Sequence, residues 1–333
     1  MKILLVGLWA WPQYEAAVAQ GLEEHGATVV GLSLSGHFSS RWGRLQLTLP
    51  VPLHAFWRAN RDILDSARRE RPDWVMFWRP THLLPSTLQC LTEMGIRTVS
   101  YNNDDPFGPK AHGLAPWHHH FLWHWYLRCL PYFDRNFFFR RINCDEALAV
   151  GAKHAAVLLP YFKPDLDRPI QLTNDERQRY GCELVFAGHF ENDGRANLIR
   201  QLVRSGVKVK LWGGSSWTPA ALGDLYAQFG PVEPVLGDDY RKALCGADIC
   251  LCLLSRLNRD TYTTRCFEIP ACGRVMLAER TADLQAMFKE DEEACFFSSP
   301  EELVSKARWL LDNADRRQRI AAAGLRRVWA DGH

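Results

Sequence analysis

The stretch from Asp260 to Glu268 brings two carboxylates, several hydroxyls and a guanidinium into one short run. Thr263 and Thr264 directly precede a predicted short helix, where side-chain oxygens often cap free backbone N–H groups. The exposed amides and positive dipole end of a helix attract phosphate, and the planar guanidinium of Arg265 matches phosphate oxygens. Thr264 and Glu268 share one helix face. We therefore expect a pocket floor that binds a diphosphate, with a carboxylate deeper in for sugar hydroxyls. A capped amphipathic helix with a solvated carboxylate is the alternative.

A second candidate lies at the end of the predicted strand 183–187, where Gly188-His189 precedes a predicted helix that starts at Ala196. A glycine at this position lets a phosphate approach the backbone, and Arg195 supplies a positive charge at the same mouth. A plain strand-to-helix turn is the alternative. Trp212-Gly213 ends the next predicted strand in the same way.

The elements around these residues predict an α/β fold. Residues 3–8, 14–25 and 28–34 have the strand, helix, strand pattern of a right-handed βαβ unit, and the pattern starts again at residue 183. A chain of 333 residues suits about two domains. We place the boundary near Pro169, which gives domains 1–168 and 169–333. Two Rossmann-like domains facing across a cleft are the expected architecture.

Composition narrows the class of protein. The formal charge of +2 argues against nucleic acid as a main partner. The ten cysteines form no paired CxxC framework, which favours buried thiols in a reducing cytosol over disulfides or zinc. No run approaches the roughly 18 apolar residues needed to span a bilayer. We expect a cytoplasmic protein.

Asp104 and Asp105 follow the predicted strand 97–101, at the strand end where functional groups of open α/β sheets collect. They are candidates for a catalytic base or an acceptor contact, although Asp-Asp-Pro is also a good turn sequence and that interpretation is slightly favoured.

The stretch 111–141 is rich in aromatic residues and contains His118, His119 and His120. Three consecutive residues of a helix point in different directions, so they do not converge on one metal ion. We expect no metal site. The stretch predicts an aromatic helix that lines an acceptor groove or rests on the inner face of a membrane. A core helix packed on the sheet is favoured over the membrane contact.

The acids Asp260 and Glu268, followed by a small-residue helix that ends in Ala-Cys-Gly at 271–273, resemble the donor-binding half of GT-B glycosyltransferases. The similarity is to the group-1 type and its spore-coat CgeB-like relatives, whose two acids have the same spacing. Here Asp replaces the usual first Glu, and Tyr262-Thr263-Thr264 replaces the usual Pro-Phe-Gly turn.

The resemblance implies a role for each candidate residue. The loop of Gly188 and His189, with Arg195, would bind the donor diphosphate. Glu268 would accept hydrogen bonds from the ribose, and Asp260 would face the transferred sugar. The nucleobase of the donor would pack near Trp212 and Gly213. A tryptophan buried in the core is an equally good interpretation of Trp212.

The resemblance also implies an activity: retaining, metal-independent transfer of a sugar from a nucleotide-diphosphate donor to a glycan, lipid-linked or protein acceptor. No cofactor is expected beyond the donor. An epimerase of the same fold and a non-catalytic binding protein are the alternatives.

Overall fold

The computed structural model describes residues 1–108 and 118–331. Within them the chain divides into two compact units. The first unit comprises Met1–Leu159 and the tripeptide Leu257–Arg259, and the second comprises Pro160–Arg256 and Asp260–His333. The division after residue 159 precedes the boundary expected at 168.

The first unit is built on a six-stranded parallel sheet with the order β2-β1-β3-β4-β5-β6. Its strands are β1 (Lys2–Gly7), β2 (Thr28–Ser33), β3 (Trp74–Trp78), β4 (Arg97–Asn102), β5 (Arg135–Phe138) and β6 (Ala155–Val157). Its described helices are α1 (Ala17–Glu24), α2 (Arg41–Thr48), α3 (His54–Glu70), α4 (Pro85–Glu93), α5 (His119–Leu122), α6 (His124–Cys129) and α7 (Arg141–Ala149). A π-helical turn, Pro12–Ala16, leads into α1.

Burial on both faces explains the apolar runs of these strands. Residues 3–6 of β1 and 75–78 of β3 are buried throughout, as in parallel sheets that are covered by helices on both sides. Helix α3 buries Ala59, Ile63 and Ala67 at spacings of four residues, so one stripe of the helix faces the sheet.

The second unit has a five-stranded parallel sheet with the order β11-β10-β9-β7-β8. Its strands are β7 (Cys182–Ala187), β8 (Val209–Trp212), β9 (Ala247–Cys252), β10 (Val275–Glu279) and β11 (Cys295–Phe297). Its helices are α8 (Asn174–Tyr180), α9 (Arg195–Arg204), α10 (Pro219–Leu222), α11 (Tyr226–Phe229), α12 (Asp238–Cys245), α13 (Arg265–Ala271), α14 (Ala282–Met287), α15 (Pro300–Asp312) and α16 (Ala314–Asp331). The prediction of two α/β units with parallel sheets is confirmed.

No helix among the described residues is long and apolar enough to cross a bilayer.

Candidate functional site

The site in the second unit lies where the strand order reverses. Strand β7 has β8 on one side and β9 on the other, so the chain leaves β7 in one direction and returns on its other flank. Ligands of open α/β sheets bind outside the carboxyl ends of the strands at such a switch point. The loops that follow β7 and β9 meet there. Ser255, after β9, donates to Glu191, after β7, at 2.7 Å.

Arg265 is the cation at this point. Its Nη2 donates to the carbonyl of Leu253 at 3.2 Å, and its guanidinium lies 5.8 Å from the ring of Phe186. The buried Nε has no hydrogen-bond partner, and the guanidinium forms no ion pair within the described residues. A Cβ at position 188 would come within 3.0 Å of Arg265 Nη1, so Gly188 leaves room for the guanidinium. The arrangement leaves a positive charge and one N–H uncommitted beside the end of β7.

Thr263 and Thr264 lie directly before α13, as predicted, but the expected side-chain cap is absent. Thr264 is the N-cap residue and makes no side-chain cap hydrogen bond, so the prediction of hydroxyl capping was wrong. The helix starts instead through backbone bonds, with the N–H of Cys266 donating to Thr263 O and that of Phe267 to Thr264 O, both at 2.9 Å. Both threonines are half-buried.

Glu268 lies one turn further along α13 and is held by a residue that the sequence analysis missed. Tyr240 of α12 donates its phenolic hydrogen to Glu268 Oε2 at 2.8 Å. Burial, with the negative charge of Asp167, raises the pKa of Glu268 to about 7, although Tyr240 and Arg265 act in the opposite direction. The Glu268 carboxyl group is therefore about half ionised near neutral pH. No sequence pattern linked Tyr240 to it.

The ends of β7 and β8 are locked together at two glycines. The N–H of Gly188 donates to Trp212 O at 2.9 Å, and Nε1 of Trp217 donates to Gly188 O at 2.8 Å. A Cβ at Gly213 would lie 2.0 Å from Gly188 O, so only glycine allows this approach. Trp212 itself is buried against Tyr180, with ring centroids 5.8 Å apart. This placement matches the interpretation of Trp212 as a core residue.

Arg195 differs from the expectation that it faces a diphosphate. Its side chain is 2% exposed and donates to Asp193 Oδ1 at 2.8 Å, to Asp193 Oδ2 at 2.5 Å and to His189 O at 2.7 Å. Glu191 lies 3.4 Å from Nη2. Burial opposes the charge of Glu191, yet the hydrogen bond from His189 and the charge of Arg195 lower the pKa of the Glu191 carboxyl. Arg195 thus holds the loop that leads into α9.

Asp260 closes the loop between β9 and α13. Its N–H donates to Ser255 O at 2.9 Å, and Ser255 N–H donates back to Asp260 Oδ2 at 3.4 Å. The residue is half-buried and lies in the same loop system as Glu191 and Thr263. A role toward a transferred sugar stays a prediction.

Comparisons with known proteins bear on this unit most directly. Residues 195–333, which include α9, Asp260, Arg265 and Glu268, match a family model described as "Glycosyl transferase-like". A search of curated proteins finds no match. This part of the second unit is therefore similar in sequence to glycosyl transferase-like proteins.

The fold of the whole chain is similar to that of solved glycosyltransferases. Sucrose-phosphate synthase (tll1590) from Thermosynechococcus elongatus has a TM-score of 0.71 at 12% identity, over 99% of this chain and 94% of that one. Anabaena Alr3699/HepE in complex with UDP-glucose has a TM-score of 0.64 at 11% identity, over 99% and 95%. The prediction of a GT-B fold is confirmed, whereas the CgeB-like subfamily stays a prediction.

A third similar structure is described as an epimerase. A putative UDP-N-acetylglucosamine 2-epimerase from Listeria monocytogenes has a TM-score of 0.60 at 14% identity, covering 98% of this chain and 93% of that one. At these identities the likeness concerns the fold alone.

In the first unit, the carboxylate of Asp105 is fully used in hydrogen bonds and an ion pair within the protein. Its side chain is fully buried, and its Oδ1 accepts from the N–H groups of Phe107 at 3.1 Å and Gly108 at 2.8 Å, as in a turn. Arg259 donates to both carboxylate oxygens, at 2.5 and 2.9 Å, and to both oxygens of Glu146, at 2.9 and 2.8 Å. This geometry matches the interpretation of Asp105 as a turn residue.

Asp104 has a different environment. Its carboxylate accepts a short hydrogen bond from Arg79, a residue with positive φ at the end of β3, and part of both side chains reaches solvent. His119 is close enough for the charge of Asp104 to act on it, although burial, the largest effect, lowers the pKa of His119. Of the two acids, Asp104 is the accessible one.

The described part of the stretch 111–141 packs one side into the core and leaves Phe121 56% exposed. Leu122, Trp123, Tyr126 and Cys129 are buried against the first sheet, as the favoured interpretation predicted. Residues 111–117 lie outside the described part of the chain. Among the described residues, no group of three or more His, Cys, Asp or Glu side chains is arranged to hold a metal ion.

Proposed function

We propose that the protein is a glycosyltransferase that binds a nucleotide-diphosphate sugar in its second unit and moves the sugar to a glycan, lipid-linked or protein acceptor. One observation carries the proposal. At the switch point of the second sheet, one short segment, 263–268, holds three kinds of polar group. They are an arginine whose buried Nε has no hydrogen-bond partner among the described residues, two half-buried threonines, and a carboxyl group that accepts from Tyr240. A cation and hydroxyls suit a diphosphate, and a carboxylate suits vicinal sugar hydroxyls.

Each group has a distinct task in this proposal. Arg265 stabilises the negative charge that develops on the leaving diphosphate, which is the main electrostatic contribution to the reaction. The hydroxyls of Thr263 and Thr264 donate to phosphate oxygens. Glu268 accepts hydrogen bonds from the ribose, and Tyr240 fixes the position of its carboxylate.

The finer features are proposals as well. UDP is the first nucleotide to test, because the Anabaena protein of similar fold is described in complex with UDP-glucose. Retaining transfer without a metal ion follows from the family resemblance. Asp104 is the candidate contact for the acceptor. The ten free thiols suit a reducing, cytoplasmic location.

Calorimetric titration with UDP, GDP, dTDP, ADP and CMP tests the donor site. We expect one nucleoside diphosphate to bind the wild type and to bind at least tenfold more weakly to Arg265→Gln and Glu268→Ala, since a hydrogen bond to a charged group contributes about 1.5–3 kcal/mol. Arg204→Gln, an exposed arginine at the far end of α9, is the matched control and should bind as the wild type does. If no nucleotide binds at millimolar concentration, the donor site is wrongly assigned.

An epimerase is the second candidate, because the putative epimerase from Listeria monocytogenes has a similar fold. An epimerase converts its nucleotide sugar without an acceptor. Incubation of the protein with UDP-N-acetylglucosamine alone, followed by NMR of the sugar, separates the two. Appearance of the epimer would favour that candidate over transfer.

A further inference from the structure

Five large apolar side chains of the first unit stand in solvent on one continuous segment. They belong to α2, to the link that follows it and to the first turn of α3: Trp42, Leu45, Val51, Leu53 and Trp57. We call them the Trp42–Trp57 surface. Trp42 is 76% exposed and Trp57 is 56% exposed. Large exposed apolar side chains that lie together on a folded protein often mark an interaction site.

The packing of α2 explains why these side chains face outward. The helix buries Gly43 and Gln46, and a Cβ at Gly43 would come within 2.7 Å of Phe38 Cα. With that side pressed against the domain, Trp42 and Leu45 lie on the other side. Ser40 caps the helix by accepting from the Gly43 N–H at 3.0 Å.

The segment is held in place rather than left loose. Gln46 Oε1 accepts from the Phe56 N–H at 3.4 Å, which joins α2 to α3. Nε1 of Trp125 donates to Pro50 O at 2.7 Å, which fixes the link on α6. These hydrogen bonds fix the backbone that carries the exposed apolar side chains.

The charged side chains of this segment are arginines, and the next carboxylate along α3, Asp62, pairs with His37 at 3.0 Å. Residues 25–61 contain no Asp or Glu, whereas Arg41, Arg44, Arg58 and Arg61 all lie in this range and are exposed. Exposed apolar side chains with arginines near them suit a partner that carries negative groups at its surface and an apolar layer below these groups. A second copy of the same face would bring like charges together.

We propose that the Trp42–Trp57 surface docks on a membrane that contains anionic lipids. The tryptophans enter the headgroup region, where their amphipathic rings are stable, and the arginines pair with lipid phosphates. The site lies outside the stretch 111–141 that the sequence indicated. The proposal does not rest on the transferase activity.

Sedimentation with lipid vesicles tests the proposal on the full chain. The wild type should sediment with vesicles of phosphatidylglycerol and phosphatidylcholine in equal parts, and much less with phosphatidylcholine alone. Trp42→Ala should lower the partition coefficient about tenfold, since burial of a large apolar side chain contributes about 1.5 kcal/mol or more. Leu45→Ala should lower it severalfold, whereas Leu236→Ala, also an exposed leucine but in the second unit, should not.

The arginines are tested with a matched pair of double variants. Arg41→Gln/Arg44→Gln should lower partitioning to the anionic vesicles about 25-fold, because each cation near such a surface contributes about 1 kcal/mol, or about fivefold. Arg68→Gln/Arg69→Gln removes two exposed arginines at the far end of α3 and should have little effect. Circular dichroism of each variant should match the wild type.

Two results would overturn the proposal. One is a wild type that stays in the supernatant with anionic vesicles. The other is equal loss of binding in the test and control variants, which would indicate general charge attraction. Retention on immobilised polyglutamate that depends on Trp42, without vesicle binding, would assign the surface to an acidic protein instead.

Discussion

Replacing Glu268 by Gln should make the protein more stable, although it removes a proposed ligand-binding group. The folded-state pKa of this carboxyl is about 7, against 4.5 for an unperturbed glutamate, chiefly because it is buried. A raised pKa means that the protonated form is favoured in the folded state. The stability that the group contributes is complete below pH 4.5 and is lost as the pH rises through 7. Gln keeps the shape and an acceptor for Tyr240 but carries no charge.

The magnitude follows from the two pKa values. At about 1.4 kcal/mol per pH unit, the interval between 4.5 and about 7 corresponds to at most about 3.5 kcal/mol, a limit approached above pH 7. Glu268→Gln should therefore exceed the wild type in free energy of unfolding by about 3 kcal/mol at pH 8. The same linkage relation gives about 1.4 kcal/mol at pH 5.5.

The assay is urea unfolding at these two pH values without ligand. Unfolding is monitored by the hydrogen exchange of the backbone amides in β9 and α13. These amides report the opening of the second unit, so unfolding of the first does not confuse the result. Glu302→Gln is the control of opposite sign. The hydrogen bond from Arg280 lowers the pKa of the Glu302 carboxyl to about 2, so its neutral variant should lose stability above pH 4.5. Equal stability of Glu268→Gln and the wild type at pH 8 would refute the reasoning.

Three further substitutions probe the surrounding structure. Arg265→Lys should weaken nucleoside-diphosphate binding about tenfold in calorimetry, because an ammonium lacks the planar fork; unchanged affinity would remove Arg265 from the site. Gly188→Ala places a methyl 2.9 Å from the Phe186 ring and 3.0 Å from Arg265, and should cost about 1–3 kcal/mol in urea unfolding. Arg259→Leu leaves Asp105 buried without its cation and should destabilise the first unit by about 3–5 kcal/mol in urea unfolding. Adding Asp105→Asn should restore part of the lost stability. If it restores none, the pairing of Arg259 with Asp105 is not the cause.

The regular elements were predictable where the local pattern decides them. The strand 74–78 and the helix 54–70 are apolar or amphipathic runs between turn residues, and tertiary context only reinforces them. Helix α2 escaped prediction because its exposed Trp42 and Leu45 spoil the expected apolar stripe. A pattern analysis assumes that large apolar residues point inward, and this helix departs from that assumption.

The region of the candidate site could be predicted from the strand order, but the contacts between its side chains could not. Parallel strands that reverse order must bring the ends of β7 and β9 together, so Gly188 and Arg265 belong to one region on topology alone. Tyr240 could not be found, because its contact with Glu268 joins two helices whose registers no local pattern fixes.

Local sequence patterns also could not show which of the two arginines, Arg195 or Arg265, is free of carboxylate partners. Each arginine follows a strand of the second sheet and is the first residue of a helix, and no sequence pattern distinguishes one from the other. The difference is in their partners. Asp193, two residues before Arg195, folds back on its guanidinium, and Glu191 adds a second carboxylate. Arg195 is thereby neutralised, and its excess of negative partners would repel a phosphate. Arg265 has no carboxylate ion-pair partner in the described chain, so in the proposed donor site a diphosphate at the end of β7 would find its compensating charge on α13.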